Sequence, residues 1–119
     1  MSTEVHWVLE LDIKDGQLAN FKALMAEMVD ATKANEPDAT HYEWFVNEAE
    51  TSCHIYERYA DSAAVMTHLG TFGEKFAERF LAALAPTRLV VYGDPSDEVR
   101  NALAGLGAAH MTQVGGFAR

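Results

Sequence analysis

Two stretches of this sequence run through the same order of patterns, and no other feature narrows the possible folds as far. Residues 5–13, VHWVLELDI, alternate Val5, Trp7, Leu9, Leu11 and Ile13 with His6, Val8, Glu10 and Asp12. A period of two marks a strand with unlike faces. Asp15 can then cap a helix in which Leu18, Phe21, Met25, Met28 and Thr32 recur at spacings of three and four, with Asn35 and Pro37 ending it. THYEWFVN (40–47) and CHIYERYA (53–60) read as two strands, and the polar EAETS between them has the length of a hairpin loop. Asp61 caps a short helix over 63–69 that Gly70 stops, and FGEKFAERFLAAL (72–84) continues with Phe72, Phe76, Phe80, Leu81 and Leu84 on one side until Pro86 closes it. TRLVVYG (87–93) is a fourth strand and DPSDEVRNALAG (94–105) a last capped helix. The Gly-rich tail, 107–119, has too little patterning to assign.

Strand, helix, strand thus occurs over 5–46 and again over 53–92, joined by a hairpin. The expected fold is α+β: a ferredoxin-like βαββαβ sandwich, with a four-stranded antiparallel sheet and the helices on one of its faces. Residues 1–93 form this domain, and 94–119 append a helix and tail to it. The apolar parity of Trp7, Leu9, Leu11, Leu89 and Val91 assigns them to the helix side, together with Cys53, Ile55, Glu57 and Tyr59. In the second strand the apolar set is Tyr42, Trp44 and Val46, which joins that side if Trp44 lies opposite Ile55; a slip of one residue would invert it. The other face carries His6, Val8, Glu10, Glu43, Phe45, His54, Tyr56, Arg58, Arg88, Val90 and Tyr92. That mixture is too apolar for a solvated face and too charged for a core, so a homodimer with sheet facing sheet is expected, with Glu43, Arg58 and Arg88 in ion pairs.

A chain of 119 residues can bury about two thirds of its unfolded surface, enough for one core. A formal charge of −9 with no basic stripe speaks against nucleic acid as a partner. No apolar run approaches the ~20 residues of a bilayer span. The first residues, MSTEVHWVLELDI, lack a basic start and an apolar signal core, so a cytoplasmic location is expected. Cys53 is the single cysteine, which leaves no internal disulfide and suits a small buried hydrophobe.

EPDATHYEW, CHIYERYADSAAVMTHL and FGEKF together resemble the antibiotic-biosynthesis-monooxygenase-like family, a dimeric α/β-barrel group that includes quinol monooxygenases and anthrone oxygenases. The family pattern is met by Pro37, Tyr42-Glu43, Glu57-Arg58-Tyr59 and His68-Leu69, within 5–93. Tyr59 replaces the family's tryptophan, and Gly73 stands where a histidine often follows. A haem-degrading relative would need an asparagine near Leu9 and a histidine near Glu78, and neither is present, so no haem is expected.

The resemblance implies cofactor-independent oxidation of a small quinol or polycyclic aromatic by dioxygen. Such chemistry needs an apolar pocket, a base, and donors for the anion that forms. Trp7, Tyr42, Trp44, Ile55, Phe72 and Phe76 are the candidate walls, or plain core. Glu57 is the candidate base, or a structural carboxylate holding buried donors. His68, at the rim, is a candidate titrating group or a solvated histidine, and Tyr59 an oxyanion donor or a strand-end aromatic. His6, His41 and His54 share sheet-face positions without a metal motif, and no metal or other cofactor is expected. The tail could cover a partner subunit's cleft or be disordered. The alternative to an oxygenase is a non-catalytic dimeric protein of the same fold that binds a small molecule or serves in stress; isomerase or lyase chemistry without oxygen is a third reading.

Overall fold

The computed structural model describes residues 2–119. The repeated units are β1 (Val5–Ile13), α1 (Leu18–Asn35) and β2 (Ala39–Val46), then β3 (Ser52–Tyr59), α2 (Ser62–Lys75), α3 (Ala77–Ala83) and β4 (Leu84–Gly93). After them come α4 (Asp97–Leu103), a 3₁₀ turn (Ala104–Leu106) and β5 (Ala109–Met111). The sheet order is β2-β3-β1-β4-β5. Each of the first four strands is antiparallel to its neighbours among them, as the sequence pattern requires. β5 adds a fifth, parallel strand from the tail that the pattern left unassigned, pairing Ala109–Met111 with Val90, Val91 and Tyr92 of β4.

Alternation in β1 becomes alternation in burial: Val5, Trp7, Leu9, Leu11 and Ile13 all face the helices and are buried. Cys53, Ile55, Glu57 and Tyr59 of β3 share that face and are also buried. Trp44 pairs with Ile55, so β2 takes the register that turns Tyr42 and Trp44 inward. Across the sheet lie Phe21, Leu24 and Met28 of α1, Val65 of α2 and Phe80 of α3. Each such side chain contributes about 1.5–3 kcal/mol when fully buried, so the face assignment decides the fold.

Local signals are overridden in four places. Asp15 does not cap α1; Gln17 takes the cap position without a side-chain hydrogen bond. Gly70 does not stop α2, which runs on to Lys75 because one glycine costs about 1 kcal/mol, less than the packing of Leu69 and Phe72 returns. The break comes at Phe76 (φ −125°, ψ −21°), and α3 starts anew beyond it. Pro86 does not close a helix: Leu84 is already extended, and Pro86 lies inside β4 opposite a register shift at Glu10/Leu11. A residue without an N–H is tolerated there because β5 pairs only further along, leaving that stretch of β4 as an edge. Asp61 does cap α2, accepting from the Ala64 N–H at 2.9 Å, and Ser96 caps α4 in the same way.

On the open face Arg58 pairs with Glu4, while Arg88 and His54 both approach Glu10 at 3.7 Å. Glu43, expected in this set, is exposed and pairs with none of them, because β2 is the outermost strand on that side.

Gly93 is the one glycine the sheet demands. Its φ is +108°, and a Cβ there would stand 2.7 Å from the Glu4 carbonyl oxygen. Gly93→Ala should therefore lose about 2 kcal/mol or more in urea denaturation, through strain and clash together. Gly70→Ala, with nothing within 4 Å of the new Cβ and an ordinary helical backbone, should gain about 0.5–1 kcal/mol.

Candidate active site

Glu57 enters the core because its neighbours in the pleat carry it there: Ile55 and Tyr59, two residues either side, are buried at 1% and 0% exposure. The residue is 4% exposed, so its carboxyl must find partners inside the protein. Tyr59 supplies one, its hydroxyl donating to Glu57 Oε1 at 2.6 Å. His68 is the carboxyl's ion-pair partner, with Nε2 lying 3.3 Å from the same oxygen. The imidazole is positioned by α2, whose Asp61 cap sets the helix start and whose Val65 and Leu69 turn the same side toward the sheet. It is not at a rim, as the sequence suggests, but 7% exposed. Its other nitrogen, Nδ1, is hydrogen-bonded to Glu36 Oε1 at 2.9 Å, and Glu36 is itself buried. One chain therefore runs Glu36, His68, Glu57, Tyr59, drawn from the end of α1, from α2 and from β3.

Burial pushes the Glu57 carboxyl above the ordinary carboxylate range, although His68 and the Tyr59 and Trp7 side chains oppose the shift. Burial alone would lower the His68 pKa; the hydrogen bond to Glu36 and the charges of Glu57 and Glu36 outweigh it and hold the imidazole above its usual value. Tyr59 is raised by burial and by Glu57, and Tyr42 by the same two causes, so both remain phenols. The charged imidazolium is thus favoured at the centre of the chain, with Glu36 on one side and Glu57 on the other.

Beside the chain lies a cavity of about 130 Å³. Trp7, Leu9 and Ile55 form its floor on the sheet, and Leu69, Phe72 and Phe80 its helical wall. Glu57, His68 and Tyr42 are the residues with polar side-chain groups, besides Trp7, on this otherwise apolar lining. Leu103 and Leu106, from the last helix and the 3₁₀ turn, close one side. Leu81 and Leu106, each about half exposed, mark the mouth.

Of the candidate walls, Trp7, Tyr42, Ile55 and Phe72 line this cavity. Trp44 stands behind it, edge-on to Tyr42 and Phe80, and does not reach the surface. Phe76 does not either: the helix break turns it into the core under Arg79, and Phe80 takes its place with its ring edge-on to Phe72 at 5.0 Å. Tyr59 is fully buried, its ring tilted against those of Trp7 and His68 and its hydroxyl committed to Glu57. It holds the carboxyl and meets no cavity space, so a direct oxyanion role does not fit it.

Glu36 escaped the sequence reading because it falls in the turn before Pro37. The signal was nonetheless present: Met28, Thr32 and Glu36 continue one helical row at spacings of four, and the first two are buried. Gly73 is exposed, so the histidine absent there would stand at the surface. His6 and His41 flank Tyr56 on the open face, and among the described residues no three His, Cys, Asp or Glu side chains gather to hold a metal ion. Cys53 is buried, and burial pushes its thiol up to about 12.

These shifts have a sign in stability. A histidine whose folded pKa is raised stabilises fully below its ordinary value of 6.5 and loses that contribution as pH rises through the raised value. Glu57, also raised, acts in the same direction, its ionisation costing stability above the ordinary 4.5. Urea denaturation of wild type and His68→Gln across pH should show their stability difference largest below about pH 6.5 and shrinking as pH rises.

The sequence matches the family described as antibiotic biosynthesis monooxygenase over residues 5–86. No functionally curated protein matches it. Among solved structures it is similar to MupZ from Pseudomonas fluorescens, with 24% identity and a TM-score of 0.86, over 99% of this chain and 96% of that one. It is also similar to SnoaB, a cofactor-independent oxygenase from Streptomyces nogalater, with 18% identity and a TM-score of 0.66, over 80% of this chain and 96% of that one. The MupZ likeness thus takes in the C-terminal segment that closes the cavity. With more than half of the sequence matched, the chain belongs to the antibiotic biosynthesis monooxygenase family.

Proposed function

We propose that this protein is a cofactor-independent monooxygenase acting on a small quinol, or on one activated ring of a polycyclic aromatic, in the cavity between sheet and helices. The observation that carries the reading is a buried carboxylate and imidazole pair, Glu57 and His68, facing an apolar cavity of about 130 Å³. An engineered apolar cavity of about 150 Å³ holds one benzene ring, so this one suits a single ring, with any further ring lying toward the mouth at Leu81 and Leu106.

For an activated ring CH₂, such as that of an anthrone, Glu57 takes the acidic proton as general base. The anion forms beside the His68 imidazolium and the Tyr42 phenol, both favoured as donors by their surroundings. Dioxygen is the oxidant: it accepts one electron from the anion, and the radical pair combines into a carbon-bound peroxide. The peroxide takes a proton, the second C–H proton is removed, and the O–O bond breaks. One oxygen remains as the carbonyl and the other leaves as water, so CH₂ and O₂ become C=O and H₂O.

Oxygen-electrode measurements with a panel of small quinols and anthrones test this. Uptake should appear with at least one of them, and Glu57→Gln should lower the rate about 10²-fold or more while the melting temperature is largely kept, since the amide still accepts from Tyr59. Ligand binding without oxygen uptake would assign the protein as a carrier. Loss of folding and rate together in Glu57→Gln would assign a structural carboxylate.

The same reading includes assembly as a homodimer through the open sheet face. Phe45 is 54% exposed there, on the same face as the half-buried Val8, Tyr56 and Tyr92, while Arg58 pairs with Glu4 and Arg88 approaches Glu10. A face of this kind, largely apolar with both of its arginines already partnered, favours a matching copy. Light scattering should report twice the 13.1 kDa chain mass, and Phe45→Asp should shift it to the monomer without unfolding the chain. A wild-type monomer at micromolar concentration would reject the interface.

A further inference from the structure

Glu57 holds its proton more tightly than an ordinary carboxylate because it is buried, so part of the population meets a ligand with the base already protonated. Once a ligand fills the apolar cavity, that proton cannot leave through the mouth. A second way out is visible on the opposite side of the imidazole. A polar recess of about 70 Å³ opens between the end of α1 and the first turns of α2, lined by the exposed Asn35, Asp38 and Thr67 and by Glu36. Glu36 therefore belongs to two places at once. It lines the recess, and its Oε1 is 2.9 Å from His68 Nδ1. His68 Nε2 lies 3.3 Å from Glu57 Oε1, and both residues line the cavity.

We propose that Glu36 and His68 form a proton path that discharges Glu57 into the solvent of this recess while the cavity is occupied. The inference rests on Glu57 serving as the base. Imidazole suits the position because it can accept a proton at one nitrogen as it releases one from the other. Where Glu57 is protonated its charge no longer helps hold a second proton on the imidazole, so His68 is neutral with its one proton on Nδ1. The Glu57 proton passes to Nε2, the Nδ1 proton passes to Glu36 Oε1, and Glu36 gives it to water in the recess. One proton moves, and Glu57 is left ionised beside the N–H of His68. Glu36 acts through His68 and touches no cavity space, so it is a positioning and relay residue. A surface ion pair would need no such geometry: this chain joins two separate pockets through one ring.

The test uses the ligand-free protein and needs no substrate. Solvent exchange of the His68 Nδ1 proton is read by ¹⁵N-edited NMR in protein labelled at its histidines, with the Val65 amide, fully buried one turn earlier, as the reporter of local opening. Glu36→Gln keeps an acceptor for Nδ1 but cannot carry a proton, so exchange should slow roughly tenfold or more. A merely structural role predicts the opposite sign, because weakening the contact leaves local opening unchanged or speeds it, at His68 and Val65 alike. Thr67→Leu, which plugs the recess from its exposed rim, should slow exchange without touching the chain and decides the matter if Glu36→Gln does not fold. Unchanged or faster exchange in the folded variants overturns the path. Oxygen uptake is scored separately: its absence rejects the oxygenase reading and leaves the exchange result standing on its own.

Discussion

Glu57 lies between Ile55 and Tyr59 on the helix-facing side of β3, and a carboxyl in that position is costly unless every lone pair finds a donor. The arrangement around it follows from that requirement. Tyr59 is close enough because side chains two residues apart share a sheet face, and His68 reaches the same oxygen from the helix above. His68 in turn carries a charge that needs a second acceptor, which Glu36 provides from the end of α1. Three elements distant in sequence are tied to one carboxylate, and the site is only as well formed as the packing of α1 and α2 on the sheet.

Such a chain is a weak source of stability. Desolvating two carboxylates and an imidazole opposes folding by an amount comparable to what their mutual attraction returns, whereas removing one member strands the others. The core itself comes from the apolar residues of β1, β3 and β4 against Phe21, Met28, Val65 and Phe80. That division suits a reactive site, since the apolar scaffold holds the geometry and the polar chain supplies shifted protonation states. The direction of those shifts, upward for Glu57 and His68 alike, is what low dielectric on one side and paired charges on the other produce.

The cavity owes its outline to features outside the repeated units. The break at Phe76 rotates the following turn so that Phe80, and not Phe76, meets Phe72 over the sheet. The Ser96 cap and the parallel pairing of β5 with β4 bring the C-terminal segment back, so that Leu103 and Leu106 complete the enclosure. The apolar cavity opens at Leu81 and Leu106 and the polar recess at Glu36 lies beyond His68, so the proposed path of the proton is separate from that of the ligand.

Period-two alternation in VHWVLELDI and CHIYERYA was enough to derive the strands, their inner faces and the inward aim of Glu57, because parity along a strand is a local property of the backbone. The order of elements likewise follows from composition and spacing, and so does the Asp61 cap. Other features depended on energies that no short window contains. Whether α2 passes Gly70, whether Phe76 or Phe80 faces the cavity, and whether the tail adds a strand are each decided by contacts between distant segments, which outweigh a glycine penalty of about 1 kcal/mol or a weak strand preference. The partnership of Glu36 with His68 is of the same kind: residues 32 positions apart meet because the end of α1 and the middle of α2 come together over one face of the sheet, and only burial makes their hydrogen bond worth forming.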